Sequence, residues 1–190
     1  MRFRSLIAVI LVLAAAVTCV EAADNYKVDP VHTFTMFRIK HFDIGYSYGR
    51  FNDSSGTVVW DKDDPTKSSF TFEVKADSLD THNDKRDAHL KGPDFFDVKQ
   101  FPTISFKSTA VKASGDNKFD VTGDLTMHGV TKSITVPIEK TGEGDTKMMG
   151  VRTGWETTVN LKRSDYDIKG LLGPVADDVM IRISFEAVKQ

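Results

Sequence analysis

From Tyr26 onward, apolar residues recur at every second position, and each run ends in turn-forming residues. A period of two is the repeat of a strand with one buried and one wet face, and it leaves little room for long helices. Phe70, Phe72 and Val74 alternate with Thr71, Glu73 and Lys75, and Ile104 and Phe106 with Ser105 and Lys107. Phe119, Val121, Gly123 and Leu125 alternate with Asp120, Thr122 and Asp124, and Ile134, Val136 and Ile138 with Thr135 and Pro137. Val179, Ile181, Ile183 and Phe185 alternate with Met180, Arg182, Ser184 and Glu186. Three more strands are less regular. In His32 to His41, Phe37 and Ile39 alternate with Arg38 and Lys40, but Phe34 and Met36 break the parity, which predicts a bulge or a covered outer face. Tyr48 to Trp60 contains Gly49, Asn52 and Gly56 and reads as a long strand bent midway. Val151 to Leu161 places Trp155, Thr157, Val159 and Leu161 on one face.

The links between these strands are short: Asp43-Ile-Gly45, Asp61-Lys-Asp-Asp-Pro65, Ser114-Gly-Asp-Asn117 and Gly142-Glu-Gly-Asp145. Short links join antiparallel neighbours, because parallel strands need long crossovers. Eight up-and-down strands leave two unpaired edges, and closing the sheet removes them. The predicted fold is therefore all-β, an eight-stranded antiparallel up-and-down barrel with one short helix between its third and fourth strands. Ten-residue strands tilted by ~40° give a tube ~25 Å long, enough for an extended lipid tail. The inward set comprises Phe37, Ile39, Phe51, Phe72 and Val74, then Ile104, Phe106, Val121, Leu125 and Ile134, then Val136, Trp155, Val159, Ile181 and Ile183. These residues either line a tunnel or fill a core, and Thr157 and Gly123 leave room among them. Alternation alone does not separate the two, since a barrel of this size is either filled or holds one small ligand.

One polar stretch, Ser78 to Asp97, interrupts the strands. Thr81 or Asn83 can cap a helix there, and Gly92-Pro93 stops it, with the glycine taking a left-handed turn. Only two or three turns fit, so this helix needs tertiary support. Helical spacing would put His82, Arg86 and His89 on one face. The stretch reads either as a polar site over the barrel mouth or as a plug. In the plug, Arg86, Asp87 and His89 hold the helix while Leu90, Phe95 and Phe96 fill the end.

Arg2 and Arg4, the apolar run Leu6 to Val17 and the Val20-Glu21-Ala22 site together predict a signal peptide over residues 1–22 and a single domain over 23–190. The run is shorter than the ~20 residues of a membrane span, so stable membrane insertion is not expected. Cys19 is the chain's one cysteine and would be discarded with the signal. The Ala16-Val17-Thr18 run before it matches a lipidation site poorly. A mature chain without cysteine has no disulfide, thiolate nucleophile or zinc–thiolate site. The formal net charge is −2 with both signs interspersed, which argues against a nucleic-acid partner.

Several separated motifs carry a resemblance that spans the whole expected domain. They are Asp29-Pro-Val-His32, Ile39-Lys-His41, Ser78-Leu-Asp-Thr81, Arg86-Asp-Ala-His-Leu90 and Asp94-Phe-Phe96. Phe101-Pro-Thr-Ile-Ser-Phe-Lys-Ser-Thr109, Gly123-Asp-Leu-Thr-Met-His-Gly-Val-Thr-Lys132, Arg163-Ser-Asp-Tyr166 and Leu172-Gly-Pro174 follow. In this order they resemble the YceI-like family of periplasmic lipid-binding proteins. Asp167 departs from the glycine often found there, and His82 sits where members vary. The resemblance implies a lipocalin-like barrel in the periplasm, reached through the Sec pathway. It implies a polyisoprenoid chain, such as a prenyl quinone tail, held along the axis, or a fatty amphiphile such as an amide. No cofactor is implied beyond such a lipid.

Two other classes compete. An enzyme would need a reactive constellation, and neither a Gly-x-Ser-x-Gly elbow nor a phosphate loop is present. Asp29, His32, His41 and Arg163 could gather into a buried cluster, for which structural hydrogen bonding is the commoner fate. No His-Glu-x-x-His or similar spacing favours a metal. The third class is a barrel that protects the envelope under stress and carries no specific ligand. The outward Phe34 and Met36 also suggest a homodimer contact.

Overall fold

The computed structural model describes residues 23–190, so the expected signal segment, Cys19 and the cleavage point after Ala22 lie outside the described residues. The strands are β1 (Asp24–His41), β2 (Gly45–Phe51), β3 (Ser54–Trp60), β4 (Ser69–Lys75) and β5 (Leu79–Asp80). After helix α1 (Asp84–Leu90) come β6 (Thr103–Gly115), β7 (Lys118–Met127), β8 (Val130–Asp145), β9 (Val151–Lys162) and β10 (Val175–Lys189). Every pairing is antiparallel, and the sheet runs β10-β9-β8-β7-β6-β4-β3-β1 before β1 closes back onto β10. The expected bend midway through residues 48–60 falls at Asn52-Asp53, which separates β2 from β3. Both lie along β1, β2 on its C-terminal half and β3 on its N-terminal end, so together they make one stave. The closed barrel thus has eight staves, as the alternation predicts, and α1 is its single α-helix among the described residues.

Two local expectations change. Parity does not break at Phe34 and Met36: both face outward, 55% and 40% exposed, while Thr35 takes the inward position between them. A threonine is tolerated there because its hydroxyl lies 3.0 Å from that of Ser54, which satisfies both buried groups. The slip in β1 lies upstream, between Val28 and Thr33 in the register against β10. Gly142-Glu-Gly-Asp145 is not a turn but the end of β8. After an irregularity between Lys140 and Gly142, pairing with β9 continues to Asp145 opposite Val151.

Glycines set the inner packing at two places. The Phe106 ring lies over Gly123, where a Cβ would come within 2.6 Å of it, and the Phe37 ring lies over Gly49 in the same way at 2.3 Å. The room that Gly123 leaves is filled by an aromatic face.

The end of the barrel holding the β6–β7 hairpin turn is solid. Trp60, Phe70, Phe119 and Trp155 meet edge to face there, with Trp155 at ring separations of 5.0 Å from Trp60 and 5.1 Å from Phe70. Such rings each bury 150–250 Å2 in general, and edge-to-face geometry suits their quadrupoles. Val121 and Trp155 are fully buried in this cluster. Both were expected to line a tunnel, but the indole of Trp155 reaches three other rings and closes the bore. We predict that Trp155→Ala costs about 3–5 kcal/mol of stability, because it opens a cavity in packed surroundings. Ile181→Ala, further toward the other end, should cost under about 2 kcal/mol, because its side chain already borders empty space. Urea denaturation of both variants checks the contrast.

Candidate functional site

Beyond the aromatic cluster the bore opens into an apolar cavity of about 440 Å3. Phe37, Ile39, Phe51, Phe72 and Val74 line it, as do Ile104, Phe106, Leu125, Ile134, Val136, Val159, Ile181 and Ile183. Alternation could not choose between tunnel and core because the barrel is both: filled at one end and hollow at the other. The lining also includes residues that the reading of alternation missed, among them Met127, Arg163, Ile168, Leu171 and Val175. Ile168 and Leu171 sit in the irregular loop after β9, where no period exists to place them.

The mouth is built by three segments that share one end of the barrel. The first is α1 and the turn after it. Asn83, not Thr81, caps the helix, its Oδ1 accepting from the Arg86 backbone N–H at 3.0 Å. Thr81 is instead the anchor, buried to 7% exposure. Its backbone N–H donates to Asp87 Oδ1 at 2.9 Å and its hydroxyl also bonds that oxygen. Arg86 grips the same residue, with Nε 2.7 Å from Thr81 Oγ1 and Nη2 2.5 Å from the Thr81 carbonyl. Arg86 and Asp87 therefore both tie the helix to Thr81. Thr81, Arg86 and His89 also line the cavity, and Asp87 is bonded to Thr81. His82 lies before the helix with φ 63° and is exposed, so it does not share a helical face with Arg86 and His89.

The chain does not leave the helix through a left-handed glycine. Gly92 bonds back to the His89 carbonyl, and the left-handed residue is Asp97, at φ 42°. This tight return drops Phe95 into a second core with Met127, Tyr166 and Ile168, against which Leu90 and Phe96 also pack. Phe96 meets Phe51 edge to face at 5.6 Å, and Phe95 meets His89 at 5.1 Å. The aromatic plug is present, but it covers a hollow rather than a filled bore.

The second segment is the loop from Arg163 to Pro174. Arg163 is 5% exposed and ties the loop together. Its Nε donates to the Ala176 carbonyl, Nη1 to those of Ile168 and Gly170, and Nη2 to that of Val175. Burial pulls its pKa below the ordinary arginine value, opposed by the nearby Asp177 charge. The third segment is the β1–β2 turn. Phe42 and Asp43 are both left-handed and form the centre of a tight turn, closed by the Ile44 N–H to the His41 carbonyl at 3.0 Å, within the three-residue link between β1 and β2. Phe42 and Ile44 there, with Leu171 and Leu172 of the loop, are exposed around the opening.

The reactive cluster that the sequence allowed does not assemble. Asp29 and His32 pair at 2.9 Å, joined by Arg152, whose Nη1 lies 2.6 Å from Asp29 and 3.0 Å from Glu186. His41 and Arg163 are instead at the mouth, because β1 spans the barrel and carries its two ends apart. Asp29, His32 and Glu186 lie close enough for three metal-ligand atoms to converge, but the Arg152 guanidinium already occupies that focus.

Residues 26–187 match the family profile of the YceI-like domain. The chain belongs to the YceI-like family. A relative, the UPF0312 protein of Pseudomonas aeruginosa strain LESB58, is 41% identical over 170 residues, 88% of each chain. Among solved structures, BcnA of Burkholderia cenocepacia superposes with a TM-score of 0.78 at 25% identity, covering 85% of this chain and 99% of its own. A polyisoprenoid-binding domain from Saccharophagus degradans shares the fold, with a TM-score of 0.69, 15% identity, and 90% and 100% coverage. Among the described residues no helix is long and apolar enough to cross a membrane.

Arg152 first, and then His32, hold the Asp29 carboxyl well below the usual carboxylate range. A carboxylate with a depressed folded-state pKa adds stability that is complete above the unfolded value and fades as pH falls below it. Arg152→Ala should therefore lose about 1–3 kcal/mol at pH 7. The gap from the parent protein should narrow below about pH 4, where Asp29 begins to protonate in the unfolded chain. Denaturation curves across pH 2–7 test the sign.

Proposed function

We propose that this protein binds a long-chain isoprenoid or a similar amphiphilic lipid in its barrel cavity, for carriage or storage in the periplasm. The observation that carries this reading is the hollow itself, an apolar bore closed by aromatic rings at one end and opening beneath a lid. Such a site holds a hydrocarbon tail through contact area, at ~25 cal/mol per Å2 of apolar surface buried, and needs no sequence motif. The structural neighbour described as a polyisoprenoid-binding domain supports the same ligand class. The protein acts on this reading as a binder and not a catalyst, with the lipid as its ligand and no separate cofactor. The basic and apolar start of the sequence supports the periplasmic placement.

Mass spectrometry of an organic extract from purified protein should show a long-chain amphiphile near one-to-one stoichiometry. A clean extract from protein that also takes up no added prenyl quinone would overturn the proposal, leaving the ligand-free protective barrel. Phe72→Asp and Ile104→Asp should each abolish uptake and destabilise the barrel, because an unpaired charge is costly to bury in the apolar wall. Glu73→Gln, on the opposite face of β4, should leave uptake within about twofold. Retention of uptake by both aspartate variants would show that the tail lies elsewhere.

A further inference from the structure

The cavity is apolar, yet the ionisable side chains around it are biased in sign. We infer that it selects amphiphiles with an anionic head group, a carboxylate or a phosphate, received at the mouth by Arg86 with Arg163, His41 and His89 around it. This rests on the lipid-binding reading above and adds the chemical class of the head.

Among the described residues, the cavity lining contains two arginines and two histidines but no aspartate or glutamate. The chain as a whole carries 27 acidic residues against 25 lysines and arginines, so composition does not supply that bias. The carboxylates near the mouth have other partners. Asp87 serves Thr81, Asp177 accepts from the Ser164 N–H and hydroxyl, and Asp43 and Asp167 pair with Lys40 and Lys169. Asp94 stands 3.5 Å from His89 and is mostly in water.

The four basic groups are linked around one opening. His41 is the strand partner of Val175, and Val175 gives its carbonyl to Arg163. Gly170, another acceptor for Arg163, packs against Asp94 and Phe95, and the Phe95 ring meets His89. Arg163 has four carbonyl partners and no hydrogen-bonded carboxylate, so its hydrogen bonds go to dipoles alone, and Asp177 is the carboxylate that acts on its charge from nearby. Arg86 is fixed through Nε and Nη2 by Thr81, which positions the guanidinium before any ligand arrives. A held guanidinium suits carboxylate and phosphate geometry, and charge-assisted bonds are roughly twice as strong as neutral ones. An alcohol or ester head would accept a hydrogen bond but gain nothing from the sign of the field.

Farnesoic acid, farnesol and methyl farnesoate share one isoprenoid tail and differ only in the head. Titrated below their micelle concentrations at pH 7.5, the acid should bind about tenfold tighter than the alcohol or the ester. Farnesyl phosphate in the same assay distinguishes a phosphate site from a carboxylate site. Arg86→Gln should shrink the acid-to-alcohol ratio below about threefold, and Arg86→Lys should restore part of it. Equal affinity of the three in the parent protein, or a ratio that survives in Arg86→Gln, would overturn the inference while leaving tail binding intact. Failure of all three to bind would overturn the lipid-binding reading along with it. Should Arg86→Gln lose every ligand by loosening the lid, salt dependence in the parent protein decides. Added sodium chloride that weakens the acid alone supports the anionic site, and parallel behaviour of acid and alcohol overturns it.

Discussion

Pairing of β1 with β10 joins the first strand of the domain to the last, and the rest of the structure depends on that seam. Without it the sheet would have two free edges, each offering unpaired backbone groups to other chains. With it, the inner face becomes an enclosed volume whose contents are decided by side-chain size. The seam runs for most of both strands, from Tyr26 opposite Lys189 to His41 opposite Val175. It also absorbs two register shifts of its own, between Val28 and Thr33 and between Ile39 and His41. The slip between Val28 and Thr33 lets β1 bend, and β2 and β3 divide along the same bend. At that bend Asp29, His32, Arg152 and Glu186 form a network joining β1, β9 and β10.

Once closed, the barrel divides by residue volume. Four large rings, those of Trp60, Phe70, Phe119 and Trp155, fill one end. Toward the other, the inward positions pass to branched aliphatics and to phenylalanines that meet in pairs, Phe72 with Phe185 and Phe37 with Phe51, and leave space between them. Phe37 and Phe106 lie down over Gly49 and Gly123, which flattens them against the wall and keeps the centre open. The hollow is thus a consequence of where tryptophan and glycine occur along strands of the same alternating pattern.

Much of this was legible in the sequence because it rests on local periodicity. The inward faces of β4, β6, β7, β8, β9 and β10 follow from parity, and the helix after β5 follows from a break in it. What parity cannot express is depth along the barrel axis. Val121 and Leu125 are inward on one strand, yet one is sealed in core and the other faces the cavity. That difference depends on rings contributed by strands distant in sequence. The mouth was less legible for a related reason. Thr81 is a short polar residue that could cap a helix, and its role as the anchor for Arg86 and Asp87 appears only when the chain turns back. Arg163 was recognised as a candidate buried group, but its partners are carbonyls, which have no identity in a sequence. Leu171 lies where the chain leaves periodic structure altogether, and Val175 opens β10, ahead of the run whose alternation is readable.

The aromatic cluster at the solid end has a kinetic meaning as well as a structural one. Because the bore is stopped there, the protein is a cul-de-sac and not a conduit. A guest that goes in tail first must back out head first through the opening it used. A second guest cannot push the first one through. On the lipid-binding reading, exchange is then a strict alternation of full and empty states through a single opening.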